Sequence, residues 1–381
     1  MKIAVLNLTG GGVSGGYKKY LSAMLSRLAQ APEISEILCA SPASFGAEKW
    51  LAGTAKVKFA ACEPFRFMRH SPDPALKLAL DEFKPDVIFV PIERYIAYRG
   101  VPVVIMVQNM APLSGVKTGT GLKERLVALV RRYETRIALA RADAVIVPTE
   151  YVKNFLAGTA GFPAEKITAV HYGHSLAPAA ARPPAAFPFH GKRFVLTAGS
   201  LESYRGIEDL LLAFPDLKQR HPGLKLAVAG GSRPATEPYF SFLKSLAAAR
   251  GLAGDIAWLG DLPEEELSWC YSNCAAFALT SRMESFCFVA LEALTHGCGI
   301  VSTDSACLPE IFGSEAAYYK AGDAPALGLA LSAVLDRPSD ERRRISEAAA
   351  RRGAGFLWDD AAAKTIKILK EVSPRYSRKT K

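Results

Sequence analysis

Residues 276–303 read AFALTSRMESFCFVALEALTHGCGIVST, and this stretch holds the elements of one strand–helix–strand unit. The apolar run at its start predicts a buried strand. The segment from about Ser285 is apolar nearly all round, which predicts a buried helix, and the run at 300–303 predicts a second strand. Because two strands joined through a helix pair in parallel, the stretch indicates a doubly wound α/β sheet.

Short apolar runs alternate with helical patterns along the whole chain of 381 residues. Each run is internally apolar, as expected for a parallel sheet covered by helices on both faces. A chain of this length suits two domains rather than one. The sequence therefore predicts an α/β protein with two doubly wound, Rossmann-like domains. The predicted strands are 3–8, 37–40, 57–60, 87–90, 103–107, 144–147 and 167–170 in the first half, and 194–198, 226–229, 256–259, 276–279, 300–303 and 317–319 in the second.

Four prolines between residues 177 and 190 interrupt the alternation, and they disfavour both a helix and a central strand. We therefore predict a first domain at 1–176, a linker at 177–192 and a second domain at 193–356. The second sheet does not need the helical pattern that follows. We expect 357–381 to form a terminal helix that packs back on the first domain, with a basic tail.

The chain is basic, with a formal net charge of +10. Residues 1–175 hold 22 Lys and Arg against 14 Asp and Glu, a net charge of +8. This balance favours an anionic partner. Aromatic and basic residues are not interleaved as in a single-strand binder, so we do not expect nucleic acid to be that partner.

The cysteine pattern and the lengths of the apolar segments indicate in which cellular compartment the protein resides. Seven cysteines, without a CxxC pair, are typical of a reduced cytosolic protein. The N-terminus begins with a strand pattern rather than a signal peptide, and no apolar run reaches the roughly 18 residues of a membrane span. The basic and apolar residues of 123–141 alternate at helical spacing, which fits either an ordinary helix on the sheet or a helix on an acidic membrane face.

Two glutamates, Glu284 and Glu292, lie at the start of the predicted helix in 276–303 and further along it. A helix start offers free N–H groups and a positive dipole end to an anion. If the helix begins near Ser285, Glu292 lies about 9 Å along its axis from Phe286. A sugar nucleotide has a matching layout, with sugar hydroxyls, a pyrophosphate and a ribose in sequence. Two solvated surface acids are the alternative interpretation.

Three loops after predicted strands carry further candidates. Arg205 and Gly206 follow the first strand of the second domain, where a guanidinium can hold a phosphate bidentately. The glycines of 9–17 formally satisfy the dinucleotide fingerprint, but the acidic residue that would hold the ribose is missing, which disfavours a nicotinamide site. Asn109 follows the fifth strand, where an amide caps a turn or lines a cleft. The sequence has neither Asp-x-Asp nor HExxH, so we expect no metal site.

These features together resemble the large family of retaining, nucleotide-sugar-dependent glycosyltransferases with the GT-B fold, often called group 1 or family four. The resemblance extends over nearly the whole chain and is sharpest from 195 to 312. It implies two Rossmann-like domains that face a central cleft, with the acceptor on the side of the first domain and the nucleotide sugar on the second.

The resemblance also assigns roles to residues. In the family, the first glutamate binds hydroxyls of the donor sugar and the second binds those of the ribose, which maps to Glu284 and Glu292. A basic residue of the glycine loop holds the pyrophosphate, which maps to Arg205. Glu284 is thereby a candidate catalytic residue. The donor-binding candidates are Gly11, Gly12, Gly15, Gly16, Gly199, Ser200, Arg205, Gly206, Phe286, Cys287, Phe288, Val289 and Glu292.

Three positions depart from the family pattern. Ser200 stands where an arginine is frequent, and Cys287 replaces a frequent glycine. Asn109 occupies the place of the usual histidine of the first domain, and we treat it as the second candidate catalytic residue.

The sequence thus predicts a cytoplasmic enzyme that transfers a hexose-type sugar from a nucleoside diphosphate donor, with retention, to a glycan or lipid-linked acceptor of cell-envelope polysaccharide synthesis. No cofactor, metal or nucleic acid partner is expected, and a peripheral contact with an acidic inner membrane face is one option. Two alternatives are a nucleotide-sugar epimerase, which would convert donor without an acceptor, and a non-catalytic protein that binds sugar nucleotides or glycans.

Overall fold

The computed structural model describes residues 1–9, 15–50, 55–114, 122–174 and 180–373. The chain forms two compact units. Residues Met1–Gly173 and Leu357–Lys381 make up the first unit, and residues His174–Phe356 make up the second.

The first unit is built on a parallel sheet with the strand order β3-β2-β1-β4-β5-β6-β7. Apart from Lys2 at the start of β1, its central strands are buried, because Val, Ile and Leu side chains on both faces are covered by the connecting helices. The strands are β1 Lys2–Leu6, β2 Glu36–Ser41, β3 Val57–Ala61, β4 Val87–Val90, β5 Val103–Met106, β6 Ala144–Val147 and β7 Ile167–Ala169. The helices are α1 Gly15–Gln30, α2 Ala47–Trp50, α3 Pro74–Phe83, α4 Ala111–Ser114, α5 Leu122–Arg141 and α6 Glu150–Asn154.

The second unit repeats this design with the parallel order β10-β9-β8-β11-β12-β13. Its core joins the apolar faces of β8, β9 and β11 to the helices α7 and α12. The strands are β8 Phe194–Ala198, β9 Lys225–Ala229, β10 Ile256–Gly260, β11 Ala276–Leu279, β12 Ile300–Thr303 and β13 Ala316–Tyr319. The helices are α7 Ile207–Arg220, α8 Glu237–Ala249, α9 Glu264–Asn273, α10 Phe288–Thr295, α11 Leu308–Phe312, α12 Ala324–Leu335 and α13 Ser339–Ala354.

In both sheets the strand order reverses beside the first strand of the unit. The reversal lies between β1 and β4 in the first unit and between β8 and β11 in the second. Ligands of open α/β sheets bind outside the carboxyl ends of the strands at such a switch point. The loops after these four strands are therefore where a site is expected.

The thirteen predicted strands are all present, with ends that differ by at most two residues. The predicted start of the helix near Ser285 is wrong, because α10 begins at Phe288. Residues 177–179 of the segment predicted as a linker lie outside the described part of the chain, and its residues 180–192 belong to the second unit. There Phe187 is buried and packs on Phe194 and Trp269 at ring-centroid distances of 5.1 and 5.2 Å.

The terminal helix α14, Trp358–Val372, belongs to the first unit. Its first residue, Trp358, is buried and stacks on Tyr172 at 6.0 Å between ring centroids. A side chain at Gly173 would begin 2.2 Å from the Trp358 backbone nitrogen, so this contact depends on a glycine at position 173. The basic tail after residue 373 lies outside the described residues.

Candidate functional site

The switch point of the second unit is flanked by two loops that carry charge. The loop after β8 contains Gly199 and a single 3₁₀ turn, Ser203–Arg205, that ends at Gly206. The loop after β11 leads from Thr280 through Glu284 to the start of α10. The Arg205 carbonyl accepts a hydrogen bond of 2.6 Å from the Thr280 hydroxyl, so the two loops are joined.

Arg205 and Glu284 meet between these loops. Nη1 of Arg205 lies 2.6 Å from Oε1 of Glu284, and the side chains are 14% and 10% exposed. The same nitrogen lies 3.4 Å from the Ser281 hydroxyl and 3.8 Å from the Cys287 sulfur. Burial acts to lower the pKa of Arg205, but the charge of Glu284 and neighbouring groups outweighs it and raises this pKa above its ordinary value. Arg205 is therefore charged, and the two side chains are close and poorly solvated.

The Arg205 guanidinium keeps an unused donor in this arrangement. Its Nε is buried and has no hydrogen-bond partner among the described residues. A buried N–H without an acceptor costs on the order of 1–3 kcal/mol. An anion that reached this guanidinium would remove that cost.

Glycines allow the loop after β8 to pack as it does. Gly199 has φ 125°, and an added Cβ would lie 3.0 Å from Cζ of Arg205. At Gly206, with φ 62°, a Cβ would lie 2.6 Å from the Thr280 carbonyl oxygen. Both positions require glycine for backbone conformation and for space. Ser200 lies in the same loop, where its carbonyl accepts a hydrogen bond of 2.9 Å from the Glu202 N–H.

The start of α10 lies three residues later than predicted. Phe286 and Cys287 therefore precede the helix, and Phe288 and Val289 are in its first turn. Cys287 is buried and takes φ 78° and ψ 87°, which a residue with a side chain rarely adopts. This geometry explains physically why glycine would suit the position. Phe286 is 1% exposed, so its ring is part of the core and does not line an open surface.

Glu292 lies in the second turn of α10, about 6 Å along the axis from Phe288. Its Oε2 accepts a hydrogen bond of 3.1 Å from the Tyr271 hydroxyl. Burial raises the pKa of Tyr271, and the charge of Glu292 raises it further. The Glu292 carbonyl lies 2.8 Å from Nδ1 of His296, whose Nε2 lies 2.8 Å from the Ser268 hydroxyl. Glu292 is thus oriented by α9 and by the end of its own helix.

The candidates of the first unit are only partly placed. Gly11 and Gly12 lie outside the described residues, while Gly15 and Gly16 are the first two residues of α1. A Cβ at Gly15 would meet nothing within 4 Å. The exposed Asn109 uses its side-chain oxygen to accept a hydrogen bond of 2.9 Å from the Ala111 N–H, so it caps the short helix α4.

Glu93, which sequence reasoning missed, lies in the loop after β4, beside the switch point of the first unit. Its Oε1 accepts hydrogen bonds from the backbone N–H groups of Gln108 and Asn109. Burial raises the pKa of Glu93, although these N–H groups act in the opposite direction. The available signal was an acid three residues after an apolar strand, in VPIER.

Asn7, just after β1, is a second polar residue of this switch point that was missed. It is fully buried, and its Oδ1 accepts hydrogen bonds from the Thr9 hydroxyl at 2.7 Å and the Tyr17 hydroxyl at 3.0 Å. Its Nδ2 donates to the Ser41 hydroxyl at 2.9 Å. Asn7 therefore ties β1, β2 and α1 together where the glycine loop begins.

Two further features concern only the described part of the chain. None of its helices is long and apolar enough to cross a membrane. No group of three His, Cys, Asp or Glu side chains there is placed to share a metal ion, and metal independence stays a prediction.

Comparison with known proteins gives the same class as the fold. The family model of the group 1 glycosyl transferases matches residues 183–352, and that of glycosyltransferase family 4 matches residues 14–197. Glycogen synthase of Mycobacterium tuberculosis is 30% identical over 207 residues, which cover 53% of this chain and 48% of that protein. D-inositol 3-phosphate glycosyltransferase of Corynebacterium jeikeium is 34% identical over 184 residues, 46% of this chain and 43% of that protein. The chain spans about half the length of these curated relatives.

Solved structures show the same fold over nearly the whole chain. HepE of Anabaena, solved in complex with UDP-glucose, matches with a TM-score of 0.73 at 16% identity, over 97% of this chain and 100% of that one. Two Rossmann-like units with parallel sheets define a protein of the GT-B class. The chain belongs to the group 1, or family four, glycosyltransferases.

Proposed function

We propose that this protein transfers a sugar from a nucleoside diphosphate donor to an acceptor, with retention of the anomeric configuration. The observation that carries the proposal is the pair of Arg205 and Glu284 at the switch point of the second unit. A buried guanidinium with an unused donor suits a diphosphate, and a carboxylate beside it suits sugar hydroxyls. The UDP-glucose bound to HepE, a protein of the same fold, supports a donor of this kind.

Each residue of the site has a role in this proposal. Arg205 and the N–H groups at the start of α10 stabilise the charge that develops on the leaving diphosphate as the glycosidic bond breaks. Glu284 binds hydroxyls of the donor sugar, and Glu292 binds those of the ribose. The carboxylate of Glu292 is already oriented for that task by Tyr271.

The first unit supplies the acceptor side in this proposal. Asn109 is the candidate there that would contact the reacting sugar, and its position is fixed by the bonds of its own N–H to Glu93 and of its side chain to Ala111. We assign no side-chain nucleophile. Retention rests on the family and not on a geometry of this site.

The acceptor that we propose is a glycan or a lipid-linked saccharide, and the proposed location is the cytoplasm. Glycogen synthase and D-inositol 3-phosphate glycosyltransferase are relatives whose names describe two different acceptors, so the family alone does not choose between acceptor classes. We also propose that transfer needs no added divalent metal, since Arg205 and the helix start supply positive charge.

The test is diphosphate release from a panel of UDP-, GDP- and ADP-sugars, with and without crude lipid and glycan acceptors, in the presence and absence of EDTA. We expect release that depends on one donor and on an acceptor, and that continues in EDTA. Glu284→Ala should abolish release, whereas Glu347→Ala, on an exposed face of α13, should not change it. Conversion of the donor into another sugar nucleotide without an acceptor would contradict transfer, as would donor binding without any diphosphate release.

A further inference from the structure

Helix α5 of the first unit exposes large apolar side chains on one face. Leu126, Leu129 and Tyr133 are 62%, 62% and 53% exposed. Their spacings of three and four residues place them one above the other on the same side of the helix. Leaving such side chains in water is unfavourable compared with burying them. An exposed apolar row of this kind indicates an interaction surface.

Arginines flank this row on the same side. Three arginines are exposed there: Arg125, Arg132 and Arg136. At 3.6 residues per turn, each lies within about a sixth of a turn of Leu129 around the helix axis. We call the surface formed by Arg125, Leu126, Leu129, Arg132, Tyr133 and Arg136 the α5 face.

Among the described side chains of α5, no acid lies on the α5 face. In the described side chains of α5, from residue 125 to 141, the one carboxylate is Glu134, which is 1% exposed and points to the opposite side. Its Oε2 lies 2.9 Å from Nε2 of His70, and its Oε1 accepts a 2.6 Å hydrogen bond from the Met68 N–H. The charge of the α5 face is therefore uniformly positive.

The bonds of Glu134 bring a second exposed apolar segment beside α5. Met68 is 65% exposed and Phe67 is 46% exposed. Met68 has φ 64°, an unusual conformation for a residue with a side chain, and the hydrogen bond to Glu134 holds it there. The fold thus fixes these two apolar side chains in solvent on the side of α5 that carries Glu134, away from the α5 face.

We infer that the α5 face docks on the surface of an acidic lipid bilayer. Apolar and aromatic side chains enter the boundary of headgroups and acyl chains, and arginines beside them bind anionic headgroups. A second copy of the chain would place like charges against each other around a twofold axis. A single-stranded nucleic acid stacks successive bases on several aromatic rings, whereas the α5 face offers one ring, that of Tyr133. An acidic bilayer satisfies both the charge and the apolar row.

This inference gives the proposed lipid-linked acceptor a place at the bilayer, and in that respect it rests on the proposed function. Its test does not. Binding to vesicles is measured without a donor or an acceptor, so a protein without transferase activity can still bind, and an active transferase can fail to bind.

The experiment is cosedimentation of the full chain with two kinds of vesicle. The neutral vesicles contain phosphatidylcholine alone, and the acidic vesicles contain phosphatidylcholine with about 30% phosphatidylglycerol, an anionic lipid. We expect binding to the acidic vesicles and at least about tenfold weaker binding to the neutral ones. Leu129→Asp should weaken binding to acidic vesicles by at least about tenfold. The matched control is Leu329→Asp, because Leu329 is 57% exposed on α12 of the second unit and should leave binding unchanged.

The charge is tested separately. Arg132→Ala should weaken binding by about fivefold, and Arg343→Ala, at an exposed arginine of α13, should not. Circular dichroism is used to check that each variant is folded. Equal binding to neutral and acidic vesicles, equal losses for Leu129→Asp and Leu329→Asp, or a dimer in light scattering that Leu129→Asp dissociates would each overturn the inference.

Discussion

The ion pair between Arg205 and Glu284 allows a prediction that separates a ligand site from an ordinary structural contact. Glu284→Gln keeps the shape of the side chain and removes its charge. Because Arg205 and Glu284 are 14% and 10% exposed, the variant leaves a poorly solvated guanidinium without its counterion. Breaking a buried pair costs about 3–5 kcal/mol. We expect the lower end, about 3 kcal/mol, since Ser281 lies 3.4 Å from the same nitrogen and the Tyr204 ring 5.6 Å from the guanidinium carbon.

A bound diphosphate should reverse part of this loss. Glu284 and a diphosphate compete for the same guanidinium, and two like charges about 4 Å apart repel by about 4 kcal/mol at an effective dielectric constant of 20. Relief of roughly a third of that repulsion is about 1.4 kcal/mol, or a tenfold change in affinity. Glu284→Gln should therefore bind a nucleoside diphosphate about tenfold more tightly than the wild type, while transfer of the sugar is lost.

The assay is urea unfolding with and without the diphosphate, together with calorimetric titration. Glu208→Gln is the matched control, because Glu208 pairs with Arg282 at 2.9 Å in the same unit but is 23% exposed, and Arg282 keeps Asp209 as a second partner at 2.8 Å. We expect the control to lose less than about 1 kcal/mol and to keep its diphosphate affinity. If Glu284→Gln unfolded like the control, or bound the diphosphate more weakly than the wild type, the competition for Arg205 would be refuted.

Three further predictions test other parts of the structure by urea unfolding. Burial raises the pKa of Glu93, so the folded state binds a proton more tightly than the unfolded state, in which the pKa of a glutamate is about 4.3. As the pH falls from 7 to 5, the wild type should therefore gain stability relative to Glu93→Gln. A stability difference that does not change with pH would contradict this. Cys287 has φ 78°, so the free energy of unfolding of Cys287→Gly should stay within about 1 kcal/mol of the wild type, whereas that of Cys287→Val should fall by at least about 2 kcal/mol. Equal decreases for the two variants would show that the backbone is not strained. A Cβ at Gly230 would lie 1.9 Å from the Gly199 carbonyl oxygen, so Gly230→Ala should lower the free energy of unfolding by at least about 3 kcal/mol. The control Gly254→Ala, where nothing lies within 4 Å of the added Cβ, should lower it by less than about 1 kcal/mol. A small decrease for Gly230→Ala would contradict the close approach of the two loops.

The strands were predictable because a parallel sheet covered on both faces needs short apolar runs, and these runs are visible in the sequence. The start of α10 could not be predicted in this way. Ser285 has the side chain of a typical helix cap, but the chain turns at Cys287 in a left-handed conformation before the helix begins. That conformation is set by packing of Phe286 and Cys287 in the core, which a local pattern does not contain.

The polar residues that orient the site were also hidden from sequence reasoning. Tyr271 precedes Glu292 by 21 residues, and Glu93 precedes Asn109 by 16, so their contacts exist only once the sheets have formed. The prolines predicted a linker, but they gave no sign that Phe187, which lies among them, packs on Trp269. In each case a contact between distant segments decides the structure.

The central claim is that the loops around Arg205 and Glu292 bind the donor, and calorimetric titration with nucleoside diphosphates and their sugars tests it most directly. We predict that the wild type binds one uridine, guanosine or adenosine diphosphate. Arg205→Ala, kept folded as judged by circular dichroism, should weaken that binding at least tenfold, and Glu292→Ala should weaken the binding of the ribonucleotide but not that of inorganic pyrophosphate. Arg343→Ala should bind like the wild type. Failure of the wild type to bind any of the three nucleotides, or equal affinity in Arg205→Ala and Arg343→Ala, would contradict the claim.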